Sequence, residues 1–276
     1  MQNLSDMETH IFDVEHGACS AVIAPSHELL MLSCGHNSTT GWRPSTWVSQ
    51  RRLDVTCLSV ENFDEDHVSD LPIMQRMCNI RSLSHNWKVD VDWLRRKKSE
   101  TGIGTGIESL FSMMNSYNGP SLNTNWGGMT VRRFCHSHFD FQDTNSLSLV
   151  TFVQYGGVRM VFTGDLTKEA WKVYLSDPEF VSFLKTTNIF IASHHGRESG
   201  YCPDVFVFCK PELIIISDKQ IDHQSQLVDY GRHASGIRFD DGSIRKVLTT
   251  RKDGKMTIRE TAGNFRINIG EYAHVA

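Results

Sequence analysis

The sequence lacks any apolar run that could cross a membrane, since no stretch approaches the roughly 18 consecutive apolar residues that a spanning helix needs. Its seven cysteines form no CxxC pair, are odd in number and stand mostly in apolar surroundings. That pattern favours reduced, buried thiols. Residues 1–6 have neither the basic nor the apolar region of a signal peptide. We therefore expect a cytoplasmic protein without a membrane partner.

A surplus of positive charge is also missing. The net charge is −4, whereas proteins that bind duplex nucleic acid usually carry a basic face. Local basic clusters occur at residues 51–52, 95–98 and 132–133, and a solvated surface is the simplest explanation for each. Hydrophobic residues make up 39% of the chain and charged residues 22%, as in an ordinary globular protein with one sizeable core.

Short apolar runs between turn signals predict a β-meander at the start, followed by strands that alternate with helices. The pattern weakens at residues 85–143, which we interpret as an insertion over one edge of the functional site. The rest favours a single domain over residues 1–276, of class α/β (α+β), with mixed sheets between outer helices. The predicted strands are 10–14, 20–24, 28–32, 53–60, 146–154, 158–162, 189–192, 213–217, 247–250 and 255–260, and the predicted helices are 46–52, 68–77, 168–175, 179–185 and 204–208.

The most informative stretch directly follows a predicted strand. Alternate residues of an extended segment point the same way, so Asn62, Asp64 and Asp66 can converge, and His67 can turn in as the segment ends. These donors would repel one another and be costly to desolvate without a cation between them. The motif therefore predicts a metal site, and an acidic, solvated turn is the alternative explanation.

Three further strand ends carry candidate ligands. Asp165 follows one predicted strand, His194 and His195 follow the next, and Asp222 and His223 come after a third. Each motif alone is weak. Hydrolytic two-metal sites, however, take their ligands from several strand ends, so the shared position of these residues favours one common metal centre.

Other polar residues near these motifs have plainer explanations. Arg197 could hold a phosphate through two hydrogen bonds, although an ion pair with Glu198 or another carboxylate explains it at least equally well. His136 and His138 have ligand-like spacing, but they lie within the segment interpreted as an insertion and are better explained as an exposed or capping pair. His16 lies in a loop that could border the metals, with a structural turn as the simpler interpretation.

Six motifs stand along the chain in an order that resembles the metallo-β-lactamase fold. They are residues 12–17 (FDVEHG), 32–35 (LSCG), 62–67 (NFDEDH), 145–149 (NSLSL), 162–165 (FTGD) and 193–196 (SHHG). They are similar in particular to the branch of that fold that includes the soluble hydrolase domain of the competence DNA-uptake protein ComEC. The resemblance covers nearly the whole chain and implies a four-layer αββα sandwich.

The resemblance also implies roles for the matching residues. Asn62 and Asp64 stand where the HxHxDH motif of the fold has its first two histidines, and Asp66 and His67 match its final pair. Asp165 matches the aspartate that bridges the two metals.

The remaining ligands are less closely fixed by the resemblance. Asn145 stands where many members have a histidine, as in the ComEC-like branch. His194 or His195 matches the HHG loop, and Asp222 or His223 falls near the position of the last ligand. We favour His195 and leave the choice between the other two open.

The positions at which the sequence departs from the family pattern affect how many metal ions are expected and which ones. Three histidines are replaced by asparagine or aspartate, and Ala18 and Ser33 replace acidic residues of the first two motifs. An amide oxygen is a weaker zinc ligand than an imidazole, so one of two sites is expected to be labile or empty. We expect one or two divalent ions, Mn²⁺ or Mg²⁺ by the hardness of the donors, with Zn²⁺ as an alternative beside Asp66 and His67.

The implied activity is hydrolysis by a metal-activated water, with Asp66, His67 and Arg197 as the catalytic set. Hard cations and a nearby arginine suit phosphoryl transfer, so we predict a phosphodiesterase or nuclease that acts on single-stranded nucleic acid or nucleotides. The alternative is a metal-poor, catalytically silent protein of the same fold that serves as a binding or regulatory subunit for a protein partner, for example in bacterial defence.

Overall fold

Two mixed β-sheets form the centre of the protein in the computed structural model, which describes residues 6–117, 124–219 and 226–270. The strands are β1 Glu8–Ile11, β2 Ser20–Ile23, β3 Leu29–Leu32, β4 Val55–Ser59, β5 Leu83–Ser84, β6 Thr130–Phe134, β7 Val150–Tyr155, β8 Val158–Phe162, β9 Ile189–Ile191, β10 Leu213–Ile216, β11 Ile237–Arg238, β12 Ile244–Arg245, β13 Val247–Thr249, β14 Lys255–Thr261 and β15 Asn264–Gly270. The helices are α1 Pro44–Gln50, α2 Glu65–Val68, α3 Leu71–Met77, α4 Val91–Ser99, α5 Thr105–Ser116, α6 Lys168–Tyr174, α7 Pro178–Thr186, α8 Val205–Phe208, α9 Leu227–Gly231 and α10 Thr250–Asp253.

The sheets combine parallel and antiparallel pairs. One has seven strands in the order β15-β14-β1-β2-β3-β4-β5, and the other has six in the order β13-β10-β9-β8-β7-β6. Strands β3, β4 and β5 run parallel in the first sheet, and β8, β9, β10 and β13 run parallel in the second. The loops that carry the candidate ligands leave the carboxyl ends of β4, β8 and β9, where open sheets place their ligands.

The central strands of both sheets are buried on both faces, because their side chains alternate between two cores, whereas the edge strands β6 and β15 are partly exposed. In β3, Leu30 and Leu32 pack between the sheets, whereas Leu29 and Met31 pack against α1, α3 and α5. Helices α6, α7 and α8 cover the outer face of the second sheet, where Trp171 lies in their core. Three cores between four layers make an αββα sandwich.

Most predicted elements lie within a few residues of observed ones, and the differences have local causes. The strand predicted at 146–154 begins only at Val150, because residues 144–148 form consecutive turns. The segment 85–143 contains α4, α5 and β6, and β6 pairs with β7 as the edge strand of the second sheet. That this segment is an insertion in a single domain stays a prediction. No helix in the described ranges is both long and apolar enough to span a bilayer.

Candidate metal centre

Side chains from three loops converge at the carboxyl ends of the parallel strands. His67 Nε2 lies 3.1 Å from Asp165 Oδ1. His195 Nε2 lies 3.4 Å from Asp165 Oδ1 and also 3.4 Å from Asp66 Oδ2. His67, Asp165 and His195 are buried and Asp66 is half-buried. Residues that are about a hundred positions apart in the sequence are therefore in contact here.

The ring of His67 is fixed by a buried chain of hydrogen bonds to Nδ1, on the side opposite Asp165. Its Nδ1 lies 3.0 Å from Ser33 Oγ, which donates in turn to Glu61 Oε2 at 3.4 Å. With the Ser33 hydroxyl proton directed at Glu61, Nδ1–H is the donor to Ser33 and Nε2 faces Asp165. Burial raises the pKa of Glu61 to about 7. Ser33 therefore has a structural role at the position where the resembling family carries an acidic residue.

His195 is oriented so that one ring nitrogen faces the centre. Its Nδ1 donates to the Ser217 carbonyl oxygen at 2.9 Å, so Nε2 is the ring nitrogen that faces the centre. Nε2 is buried and makes no hydrogen bond with any of the described residues. The backbone is left-handed at His194 and His195, with φ of 49° and 54°, and this bend turns the His195 ring inward.

Two overlapping donor sets emerge from this geometry. His67, Asp165 and His195 form one set and His16, Asp66 and His195 the other, and within each set the donor atoms lie within 4.8 Å of one another. Imidazole nitrogens and carboxylate oxygens are ligands that zinc and other divalent transition metals accept. The unpartnered Nε2 of His195 belongs to both sets, so the residues present fit a divalent cation on this side of the site.

The carboxylates of the centre favour the protonated, positively charged form of His67. Burial opposes protonation of His67, but the charge of Asp165 and its hydrogen bond outweigh burial and raise the pKa of His67 to about 10. Burial would raise the pKa of Asp165, yet the charges of His195 and His67 hold it well below its usual range. Histidine ligands must lose their protons before they bind a metal, so a divalent cation would compete with protons here.

His16 and Arg197 form the rim of the centre. His16 Nε2 lies 3.5 Å from Asp66 Oδ2, and its ring centroid lies 4.5 Å from that of His195. Burial lowers the pKa of His16 to about 4, so the ring is neutral at pH 7. Arg197 approaches His16 Nε2 at 3.0 Å and His194 Nε2 at 3.4 Å. Within the described chain, Arg197 makes no ion pair with a carboxylate, so the expected alternative partner Glu198 is not used.

The other half of the predicted ligand set has a different environment. Asn62 Nδ2 donates to Asn145 Oδ1 at 2.9 Å and to Asp64 Oδ2 at 3.4 Å. The Asp64 carboxylate also accepts a hydrogen bond from the ammonium group of Lys98, which in addition donates to Thr144 Oγ1 at 3.0 Å. Asp64 belongs to neither of the two donor sets described above. The interpretation of residues 95–98 as a solvated surface is thus wrong for Lys98, which is buried.

The remaining candidates lie at the margin or elsewhere. His194 Nε2 is 4.0 Å from Asp165 Oδ2, and its Nδ1 is hydrogen-bonded to Ser199 Oγ at 2.6 Å. Asp222 and His223 lie outside the described residues. His136 Nε2 contacts the Ala170 carbonyl oxygen at 3.0 Å, and His138 Nδ1 contacts that of Lys88 at 2.8 Å, so both rings are bound to backbone.

Two glycines let three turns pack together beneath Asp66. A Cβ at Gly17 would lie 2.6 Å from the Asp66 carbonyl oxygen, and one at Gly35 would lie 2.2 Å from it. The turns are joined by hydrogen bonds from Ala18 N to Asp66 O at 3.4 Å and from Cys34 N to His67 O at 2.7 Å. The motifs at residues 12–17 and 32–35 therefore support the ligand loop through their backbones.

No protein-family profile and no curated protein sequence matches this chain. Solved structures do match. The β-hydroxylase CmlA, as its E377D mutant, aligns with a TM-score of 0.52 and 10% identity over 94% of this chain, which spans 55% of that one. A provisionally named metal-dependent hydrolase of Parabacteroides distasonis aligns with a TM-score of 0.47 and 10% identity, over 87% of this chain and 91% of the other. A provisionally named metallo-β-lactamase of Thermotoga maritima aligns with a TM-score of 0.37 and 12% identity, over 63% of this chain and 86% of the other.

At such low identity the likeness extends to the fold alone. It agrees with the layers described above, and the fold is the αββα sandwich of metallo-β-lactamase type that the motifs predicted. The assignment to the ComEC-like branch stays a prediction.

Proposed function

We propose that this chain is a metal-dependent hydrolase whose centre is built on Asp66, His67, Asp165 and His195. One observation carries the proposal. His195 Nε2 is buried without a hydrogen-bond partner among the described residues, lies 3.4 Å from two carboxylate oxygens, and is directed at the centre by the hydrogen bond from Nδ1 to the Ser217 carbonyl. A buried polar atom left unpaired is costly, and a cation held by the same carboxylates would satisfy it.

The side chains divide the chemical work by position. When bound, a divalent cation supplies a Lewis acid that polarises the substrate and acidifies water. His67, Asp165 and His195 would hold it, because their donor atoms are already grouped. Asp66 Oδ2 faces the same centre and is the carboxylate placed to take a proton from water. Burial opposes its ionisation, but the nearby His195 and His67 keep the pKa of Asp66 low.

A phosphodiester is the proposed substrate class. Arg197 lies at the rim with its guanidinium toward His16 and has no carboxylate partner in the described part of the chain. Such a group can bind a phosphoryl oxygen and stabilise the charge that develops on it. The net charge of −4 favours single strands or nucleotides over long duplexes.

Metal analysis tests this proposal. Protein purified without chelators should carry a divalent ion, and excess Mn²⁺ at about a hundred times Kd should stabilise it by about 2.7 kcal/mol, or roughly 5 °C in Tm for a chain of this size. His195→Ala and Asp165→Asn should lose this shift, and His138→Ala is the matched control because its ring hydrogen-bonds to a backbone carbonyl and belongs to neither donor set. Hydrolysis of single-stranded DNA, RNA and cyclic nucleotides with Mn²⁺ should fail in the same two variants.

A metal-poor binding or regulatory subunit is the second candidate function, and the pairing of Asp64 with Lys98 favours it. Such a protein would carry well under one ion per chain and would keep its thermal stability in Mn²⁺ after Asp66→Ala. If the wild type shows no Mn²⁺-dependent shift and no hydrolysis of the panel, this second function replaces the first.

A further inference from the structure

A buried lysine lies where the resembling family would place a second metal. Lys98 is 8% exposed and reaches the site from α4, and its ammonium binds the Asp64 carboxylate and Thr144 Oγ1. Asp64 and Asn62 are the residues that match the first two histidines of the family motif. A buried ammonium requires an anionic partner, and Asp64 supplies it.

The polar atoms around this ion pair are mutually satisfied. One Asp64 oxygen accepts from Lys98 and the other from Asn62 Nδ2. Asn62 Oδ1 accepts from the Phe63 amide, and Asn145 Oδ1 accepts from Asn62 Nδ2. None of these side-chain atoms is among the buried polar atoms that lack a partner in the described residues, whereas His195 Nε2 is. One half of the site thus keeps a buried polar atom without a partner among the described residues, whereas in the other half the Asp64 carboxylate is already paired with an ammonium group.

From this contrast we infer that the centre holds a single divalent cation, on the side of His67, Asp165 and His195, and that the Lys98 ammonium takes the place of a second cation beside Asp64. The inference rests on the proposed function and refines it to a one-metal site. It makes Lys98 a positioning residue, which fixes Asp64 and places an ammonium group next to the centre.

The ion count tests the inference directly. Full-length protein is stripped with chelator, returned to excess Mn²⁺ and weighed by native mass spectrometry, with elemental analysis as an independent count. The wild type should bind one ion, and Asp64→Asn should still bind one because Asp64 is paired with Lys98. Lys98→Met frees the Asp64 carboxylate and should add a second, weaker ion, which Asp64→Asn/Lys98→Met should lose again. Lys97→Met is the control, because Lys97 lies one residue earlier on α4 and pairs with Glu100.

A second readout covers the case in which a single variant folds poorly. Asp64→Asn and Lys98→Met should each lower the urea midpoint, and the double variant should lose less than the sum, because it leaves no uncompensated charge. Two ions in the wild type, or a Lys98→Met variant that binds like Lys97→Met, overturn the one-metal inference and leave the hydrolase proposal standing. No bound ion in the wild type overturns the hydrolase proposal itself.

Discussion

Replacing Gly35 with alanine is expected to displace the ligand loop. The new Cβ would lie 2.2 Å from the Asp66 carbonyl oxygen and 3.0 Å from that of Ala18. Both are backbone atoms, and Gly35 N donates to Ala18 O at 2.9 Å, so neither can swing aside as a side chain would. An ordinary contact begins at 3.4 Å, so the backbone of Asp66 has to retreat by more than 1 Å.

The expected cost follows from that displacement. Forcing an extra methyl into a packed interior destabilises proteins by about 1 to 3 kcal/mol, and we expect Gly35→Ala to fall in that range. Asp66 and its neighbour His67 would move together, and a shift of about 1 Å in a reacting group can lower a catalysed rate by about a hundredfold. The same displacement of Asp66 and His67 should weaken the binding of Mn²⁺.

Urea unfolding and Mn²⁺ titration measure the two effects, with Gly231→Ala as the control. A Cβ at Gly231 would meet only the Val247 side chain, at an ordinary 3.6 Å. If Gly35→Ala unfolds at the same urea concentration as Gly231→Ala and binds Mn²⁺ equally well, the three turns do not support the ligand loop in the way described.

Two further predictions concern stability. Glu65 accepts hydrogen bonds from two backbone amides at the start of α5, at 2.8 and 3.0 Å. Glu65→Ala should therefore lower the free energy of unfolding in urea by about 0.5 to 2 kcal/mol. A loss no larger than that of the exposed Glu108→Ala would contradict this capping role. The hydrogen bond with His10 lowers the pKa of Glu8 to about 2 from 4.5, although burial opposes it. The Glu8 carboxylate therefore stabilises the fold above pH 4.5 and loses this effect as the pH falls toward 2. The difference in urea midpoint between wild type and Glu8→Gln should be largest near neutrality and should shrink below pH 4.5. A difference that does not change with pH would refute this role of the Glu8 carboxylate.

The layers of the fold and part of the site could be predicted from the sequence because they depend on local patterns. Unbroken apolar runs mark β4 and β8 as buried strands, and Asp66, His67 and Asp165 follow within a few residues of their ends. Residues so close to a strand end have little freedom in where they point. His195 is brought in by the left-handed bend of its loop, for which the glycine after it is the only local signal.

The role of Lys98 could not be predicted in the same way. Leu94 and Lys98 lie one helical turn apart and are both buried, but a lysine among four basic residues is normally solvated. Only the tertiary placement of α4 next to Asp64 determines its partner. The sequence indicates His16 only as a residue that could border the metals, because a single histidine before a glycine is a weak signal for a ligand. The edge position of β15 likewise depends on long-range pairing, because β14, with which it forms a hairpin, pairs with β1 near the other end of the chain.

The position of Lys98 on α4 also links two distant parts of the chain during folding. The Lys98 ammonium is buried only once α4 has docked, and in that state the Asp64 carboxylate compensates its charge. We therefore expect the segment between β5 and β6 to dock and the ligand loop to become fixed in the same step. In native-state hydrogen exchange, the amides that follow β4 should open together with those of α4, as one cooperative unit.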